Sequence, residues 1–503
     1  MMYMDDIKLY AKDDHQLKQM LDILIKFSAD IGMTLGLDKC RTRSIHQGQL
    51  IESEAVSSMG MEITAMDCNE LYKYLGMLQA SGTAVAAMKE ILLKKFNGRL
   101  LDILKTELTG GNKVKAINTF AIPVLTYSFG VLHWSTTELE GINRQIRVAM
   151  AKHCMMHRAS EVERVTLRRS EGGRGLVDVR NMYYRQVDNL RKHFYSHQAE
   201  SPILAAAVGA DKNLSPLALA NRTEDVLANI VTVEQKCEAW KRKPVHGGHI
   251  KNMLSPGIDR IASNKWLSAG VLFSETESFL IAIQDCAIPT RNNRRYVLQD
   301  LSVTNTMCRL CNRYTETIQH ITSGCSMLAA TAYTERHNAV CKIVHQKLAL
   351  QAELLEESFP YYEYQPTSLL ENEEVKLYWD YPIQTDHTVE GNRPDIILLF
   401  KKDKKCFLID ISVPEDRNTC AKHAEKIRKY IPLADDMKQT WRLNSVEILP
   451  IVVSATGLIP TLLHGCLKKL SLPPGIYIEL QKAAILATCA IVRRTMATGS
   501  NEQ

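Results

Sequence analysis

Apolar positions recur along the chain in two periods, and the change from one to the other marks out its regions. Between residues 14 and 31, Leu17, Met20, Leu21, Leu24 and Phe27 return every three or four residues, which predicts an amphipathic helix. Just ahead of it, Ile7-Lys8-Leu9-Tyr10 alternates like a half-buried strand. Residues 1–80 therefore mix short strand-like runs with one helix. Residues 81–200 read as mostly helical, broken at Gly110-Gly111, at Pro123 and at Gly172-Gly173-Arg174-Gly175. Residues 201–300 continue in helical periods, interrupted at Pro216, Pro244, Gly247-Gly248 and Pro256. From 390 to 455 the pattern turns to α/β, with strands near 395–400, 406–413 and 446–454 and a helix over roughly 419–441. In the second of these strands Phe407, Ile409, Ile411 and Val413 share one face, and Asp410 and Ser412 take the other. Residues 483–492 are apolar but too short to span a bilayer, and Arg493 and Arg494 follow them, so a core helix is expected and no membrane. No internal repeat or low-complexity tract is visible.

A chain of 503 residues is too long for one core and predicts three or four domains. Its 45% hydrophobic content excludes wholesale disorder. A net charge of +6 fits a nucleic-acid partner without requiring one. The 13 cysteines are odd in number and show one local cluster. With no secretory leader pattern, reduced thiols in the cytosol or nucleus are expected rather than a disulfide framework.

That cluster is Cys308-Arg309-Leu310-Cys311 followed by His320 and Cys325, spaced C-x2-C-x8-H-x4-C. A tight cysteine pair closed by a histidine and a last cysteine suits structural zinc, with no position left open for water. Just upstream, Thr290-Arg291-Asn292-Asn293-Arg294-Arg295-Tyr296 is basic and carries an aromatic, which fits either phosphate contacts or a solvated helix end. Two acidic constellations stand apart. Tyr3-Met4-Asp5-Asp6 reads as the tip of a hairpin, where paired Asp5 and Asp6 can hold divalent metal or simply form a surface turn. Further on, Arg393-Pro394-Asp395 opens a strand, and Asp410 lies inside the next one. A carboxylate within so apolar a strand is costly to bury alone. Asp395 opposite it across the hairpin would let the two share magnesium. In the helix that follows, Lys422, Lys426 and Lys429 fall on one face, with Ala424, Ile427 and Ile431 on another.

Tyr3–Asp6 is followed by Ile31-Gly32-Met33-Thr34-Leu35-Gly36-Leu37-Asp38-Lys39-Cys40 and by Tyr72-Lys73-Tyr74-Leu75-Gly76-Met77. In that order they resemble the catalytic hairpin, the loop after it and the primer grip of non-LTR reverse transcriptases. Ala121-Ile122-Pro123-Val124-Leu125-Thr126-Tyr127 and Gly172-Gly173-Arg174-Gly175-Leu176 look like the thumb and the segment after it. Glu316-Thr317-Ile318-Gln319-His320-Ile321 resembles the zinc-knuckle region of the same proteins. Asp395 and Asp410 match the acidic positions of restriction-like endonucleases, P-D…(D/E)-x-K, with Ser412 where the lysine usually stands. The retrotransposon version moves that lysine to the next helix, which makes Lys426 the first choice and Lys429 the second for the catalytic amine. The chain thus resembles the C-terminal part of a site-specific non-LTR retrotransposon polyprotein.

The resemblance implies an α/β multidomain chain. Residues 1–80 would be the remnant of a reverse-transcriptase palm, 81–190 a helical thumb, 191–300 a helical linker, 301–345 a zinc knuckle and 346–503 a restriction-like endonuclease. It further implies an RNA-directed DNA polymerase family with a magnesium-dependent endonuclease. The intact family nicks target DNA and copies the element's RNA from the freed end, so element RNA and target DNA are the implied partners and the nucleus the implied place. Palm polymerases need a third metal-binding aspartate and fingers upstream of the pair. A chain that opens inside the motif is expected to be truncated or mis-assigned at its start, and inactive as a polymerase. Two rivals remain: a nuclease with a disabled polymerase tail, and a decayed or domesticated element kept as a nucleic-acid-binding scaffold.

Overall fold

The apolar runs of the C-terminal third assemble into one five-stranded sheet. Its strands are β1 (Leu369–Glu371), β2 (Val375–Trp379), β3 (Ile396–Phe400), β4 (Lys405–Ser412) and β5 (Ser445–Val452), in the order β5-β4-β3-β2-β1. The first four form an antiparallel meander. β5 runs parallel to β4, reached through helix α2 (Thr419–Thr440). Helices α1 (Thr334–Gln351) and α3 (Ile476–Ala497) complete the region. Phe407, Ile409 and Ile411 of β4, with Ile396 and Leu398, pack on Val340 and Val344 of α1 and Leu480 and Ala483 of α3. Cys406, Leu408 and Ile397 on the other face pack on Tyr430, Leu433 and Met437 of α2. A strand covered on both faces reads as a near-continuous apolar run, and that is the sequence of β4 except at Asp410.

This is a computed structural model, and it describes residues 2–3, 6–79, 83–221, 225–385, 388–389 and 391–498. The chain is mixed α/β and falls into two compact units that interleave in sequence. One comprises Met1–Arg99, Pro123–Thr136 and Tyr183–Leu227; the other comprises Leu100–Ile122, Thr137–Met182 and Ala228–Gln503. The sheet belongs to the second.

In the first unit the helical pattern after residue 13 forms Asp14–Asp30, with the Asp13 carboxylate accepting from the Gln16 backbone N–H. Pairing of the hairpin ahead of it is limited to Met2–Tyr3 with Asp6–Ile7, shorter than the alternation through Tyr10 suggests. A two-stranded sheet has no third partner to extend it. The Tyr72–Tyr74 and Met77–Gln79 strands close over Leu75 and Gly76 at φ 45° and 77°. Two successive positive φ angles match the right-handed twist of a tight hairpin and favour glycine. Tyr127 donates its hydroxyl to the Leu75 carbonyl at 2.5 Å, and Lys8 donates to Gln79 Oε1 at 2.7 Å. The 72–77 segment thus meets Tyr127 of the 121–127 segment, and the strand that follows it meets Lys8.

In the second unit, a Cβ on Gly173 would stand 2.2 Å from the Leu167 carbonyl oxygen, so the Gly172–Gly175 break admits no side chain at that position. Residues 483–492 lie inside α3, buried at Ile485, Cys489, Ile491 and Val492. Among the described residues no helix is long and apolar enough to cross a membrane.

Candidate metal centres

The chain between Cys308 and Cys325 is folded around its own cysteines. Cys308 donates its N–H to the Tyr314 carbonyl and accepts from Asn312 N–H at 2.9 Å, closing a knuckle in which Asn312 takes φ 50°. Asparagine tolerates that left-handed conformation better than most residues. The Arg309 guanidinium pairs with the fully buried Glu316 carboxylate at 2.8 Å, and Glu316 also accepts from the Arg291 and Arg309 N–H groups. His320 starts the turn that ends at Gly324, and Tyr333 braces it, accepting from Cys325 N–H and donating to the Ile321 carbonyl at 2.7 Å.

The result brings Cys308, Cys311, His320 and Cys325 together, with their ligand atoms all within 4.8 Å of one another. Cys308 Sγ and Cys325 Sγ are 3.9 Å apart, and Cys311 Sγ is 3.3 Å from His320 Nε2. Tetrahedral ligands at about 2.3 Å from an ion would place two sulfurs roughly 3.8 Å apart, so this set can hold a metal such as zinc. The electrostatics agree. Burial opposes ionisation of Cys311, yet the Arg313 and Tyr314 N–H groups more than offset it and hold the thiol below its ordinary range. Burial, followed by the neighbouring cysteines, pushes Cys325 up to about 11. Burial also keeps His320 neutral, the form that ligates. Of the basic segment upstream, Arg291 donates to the Met307 carbonyl and Arg294 pairs with Asp300, while Tyr296 is exposed. Arg295 donates to the Leu301 carbonyl at 3.4 Å, so all three arginines make local contacts.

The second constellation is built across the sheet. The β3–β4 register pairs Ile396 with Ile409, and carried one residue further it sets Asp395 opposite Asp410. β3 has ended there, so the Ile411 N–H of β4 lacks a strand partner and donates to Asp395 Oδ2 at 2.6 Å. Asp410, buried on the α2 side, accepts from the Tyr430 hydroxyl at 2.6 Å through Oδ1. Its other oxygen, Oδ2, is buried without a well-aligned hydrogen bond and lies 2.7 Å from Lys426 Nζ. Lys429 stops short of the carboxylates and donates to the Tyr430 hydroxyl at 3.1 Å. Lys422 pairs with Glu425. Burial, then the charge of Asp395, pushes Asp410 above the ordinary carboxylate range, against the pull of Lys426. Two neighbouring carboxylates, the buried one balanced by a single lysine ammonium, are what a divalent cation relieves.

Sequence reasoning missed two residues of this site. Tyr430 stands four residues after Lys426, a spacing that shares a helix face and could have marked it. His337 on α1 had no local signal. Its Nε2 lies 3.2 Å from Asp395 Oδ2 and 3.1 Å from the Ile411 carbonyl, and its Nδ1 faces Asn338 Oδ1. Burial disfavours a charged imidazole there, but Asp395 outweighs it and raises His337 to about 9. His337, Cys341 and Asp395 also place ligand atoms within 4.8 Å of one another. Burial raises the Cys341 thiol far above its usual range, and His337 Nε2 already serves Asp395, so these three are a support for the carboxylate rather than a ligand set.

At the start of the chain, Asp6 pairs with Tyr3 and is exposed, and Asp5 lies outside the described residues. No protein-family model matches the chain. Over 157 residues it is 30% identical to an uncharacterized protein of Caenorhabditis elegans, a match that takes in 31% of this chain and 44% of that protein. The chain therefore spans less than half the length of this curated relative.

Proposed function

We propose that the second unit is a magnesium-dependent DNA-nicking endonuclease with Asp395, Asp410 and Lys426 at its centre. One observation carries this reading: two carboxylates on adjoining strands converge with a lysine ammonium 2.7 Å from the buried one. Magnesium bound by Asp395 and Asp410 would supply an acidified water and neutralise charge on the scissile phosphate. The protein's own groups have separate tasks. Lys426 favours the ionised form of Asp410 against its burial and offers an ammonium to the charge that develops on the phosphorane. Tyr430 fixes the Asp410 rotamer, and His337 with the Ile411 N–H fixes that of Asp395. The Cys/His cluster is read as a structural zinc site that shapes a nucleic-acid-binding surface.

The wider setting rests on the family resemblance. It makes the chain part of a non-LTR retrotransposon reverse transcriptase and endonuclease that acts in the nucleus on element RNA and target DNA. The endonuclease is tested by Asp410→Ala and Asp395→Ala in the full chain. Each should abolish magnesium-dependent nicking of supercoiled DNA while DNA binding stays within about twofold, since neither residue is a phosphate-binding cation. Nicking that survives both changes would sink the reading.

A further inference from the structure

A groove of about 390 Å³ opens beside the carboxylates, walled by four separate pieces of the second unit. The Cys/His turn contributes Ser323, α1 contributes Arg336, the end of β4 contributes Ser412, and α2 with the turn before it contributes Asn418, Lys422 and Lys426. The acid on its wall is Glu415, so cations outnumber anions along it. Polar groups in it are short of partners. Ser323 Oγ and Arg336 Nε are buried without a hydrogen bond, while the other two nitrogens of the buried Arg336 donate to Thr322, Thr488 and Val413. Asn418 precedes α2, and its side chain caps none of the helix N–H groups, of which the first, on Thr419, donates to the Asp416 carbonyl. Lys422 is tied to Glu425 alone, at 2.7 Å on the helix surface, a pairing that an incoming anion can exchange.

The lining thus offers the ammonium groups of Lys422 and Lys426, the Ser323 hydroxyl and one unsatisfied N–H of Arg336. That is the donor set that reads phosphate oxygens and ignores base identity. Its size is that of a pocket for a small ligand, about 300–1,000 Å³. A duplex, whose major groove alone is about 12 Å wide, cannot enter. We propose that this groove holds the phosphodiester backbone of one DNA strand and leads it, apart from its complement, onto Asp395 and Asp410. The proposal takes the end point of the strand from the endonuclease reading, while the binding itself can be measured without cleavage.

The test is fluorescence anisotropy of a labelled single-stranded DNA with the full chain, with calcium in place of magnesium. Lys422→Ala should raise Kd about threefold to tenfold and reduce the slope of log K against log salt by about 0.7, the share of one cation on a single strand. Asn418→Ala should weaken binding about twofold, and Lys422→Arg should restore it, because either head group meets phosphate. The same variants should change binding of the matching duplex less than they change the single strand. Unchanged Kd and slope for single-stranded DNA would overturn the proposal, as would an equal loss on the duplex. A loss confined to an RNA strand would also overturn it and give the groove to RNA. If Lys422→Ala weakens single-strand binding while nicking survives Asp410→Ala and Asp395→Ala, the groove stands and the endonuclease reading falls.

Discussion

The Cys/His cluster and the carboxylate pair lie in the same unit and make opposite use of the chain. The cluster takes all its ligands from the short span between Cys308 and Cys325, and its ligand atoms converge within 4.8 Å. The carboxylate pair draws on α1, on two strands and on α2, spread from His337 to Tyr430, and its neighbours His337 and Lys426 line an open groove. A closed tetrahedral set is cooperative, so the loss of one ligand is felt by all. An open site is graded, because each supporting group acts on one carboxylate from a different direction. The contrast predicts all-or-none behaviour for the first and a ladder of effects for the second.

The largest effect belongs to the closed site. The purified chain is expected to carry about one equivalent of zinc. Cys311→Ser should lose it altogether, read by metal analysis of the protein after dialysis. A chelator should give the same loss, with faster amide exchange at Ile321 and Cys325, whose turn Tyr333 braces. Full retention of zinc in Cys311→Ser would remove the closed-site half of the comparison.

The same contrast explains what the sequence could disclose. A metal set carried on one short loop is legible from spacing, because Cys-x2-Cys fixes its own geometry and needs only a tight knuckle such as the one at Asn312. The mixed α/β character and the terminal core helix were legible from periodicity. Asp410 was legible because a carboxylate interrupts an otherwise apolar β4, and Asp395 because a register of one strand against the next is short-range. His337 was not legible. It comes to Asp395 from a helix packed on the sheet, an arrangement set by the burial of Val340 and Val344 and not by any local pattern. Nor did the sequence show that the compact units interleave, since their boundaries at Arg99, Pro123 and Tyr183 fall within helical stretches whose partners are chosen by packing.

On the ladder of the open site, Lys426 stands at the top. Its ammonium is 2.7 Å from Asp410 Oδ2, and Lys426→Ala should lower the nicking rate about a hundredfold, the scale of a lost transition-state cation. If Lys422→Ala abolished nicking and Lys426→Ala did not, Lys422 would be the amine and the placement of Lys426 would be wrong. His337 comes next, because its contact is with the Asp395 carboxylate. His337→Ala should raise the magnesium concentration needed for half-maximal nicking about tenfold, as for other residues that orient a metal ligand. His337→Gln should recover part of this, since its amide can still donate to Asp395 Oδ2. Unchanged magnesium demand in His337→Ala would remove it from the site.

Lys429 should sit at the foot of the ladder, and it decides whether the site is graded at all. The sequence makes it the second choice for the amine, one turn from Lys426. The structure gives it a different neighbour: its Nζ reaches the Tyr430 hydroxyl at 3.1 Å and lies 4.6 Å from the centre of the Tyr430 ring. That hydroxyl has one proton, and the 2.6 Å contact to Asp410 Oδ1 uses it. Lys429 therefore donates to a lone pair of the tyrosine oxygen and meets Asp410 only through it. Removing such a donor costs about one net hydrogen bond, near 1 kcal/mol, and leaves the Tyr430–Asp410 contact in place. Lys429→Ala should then slow nicking by about fivefold or less. Combined with Tyr430→Phe it should add little, because both changes act along one chain of contacts and their effects are not independent. A loss in Lys429→Ala as large as that in Lys426→Ala, and additive with Tyr430→Phe, would show that Lys429 meets the phosphate directly. The two lysines would then share the amine's role, and the open site would have no gradient to set against the closed one.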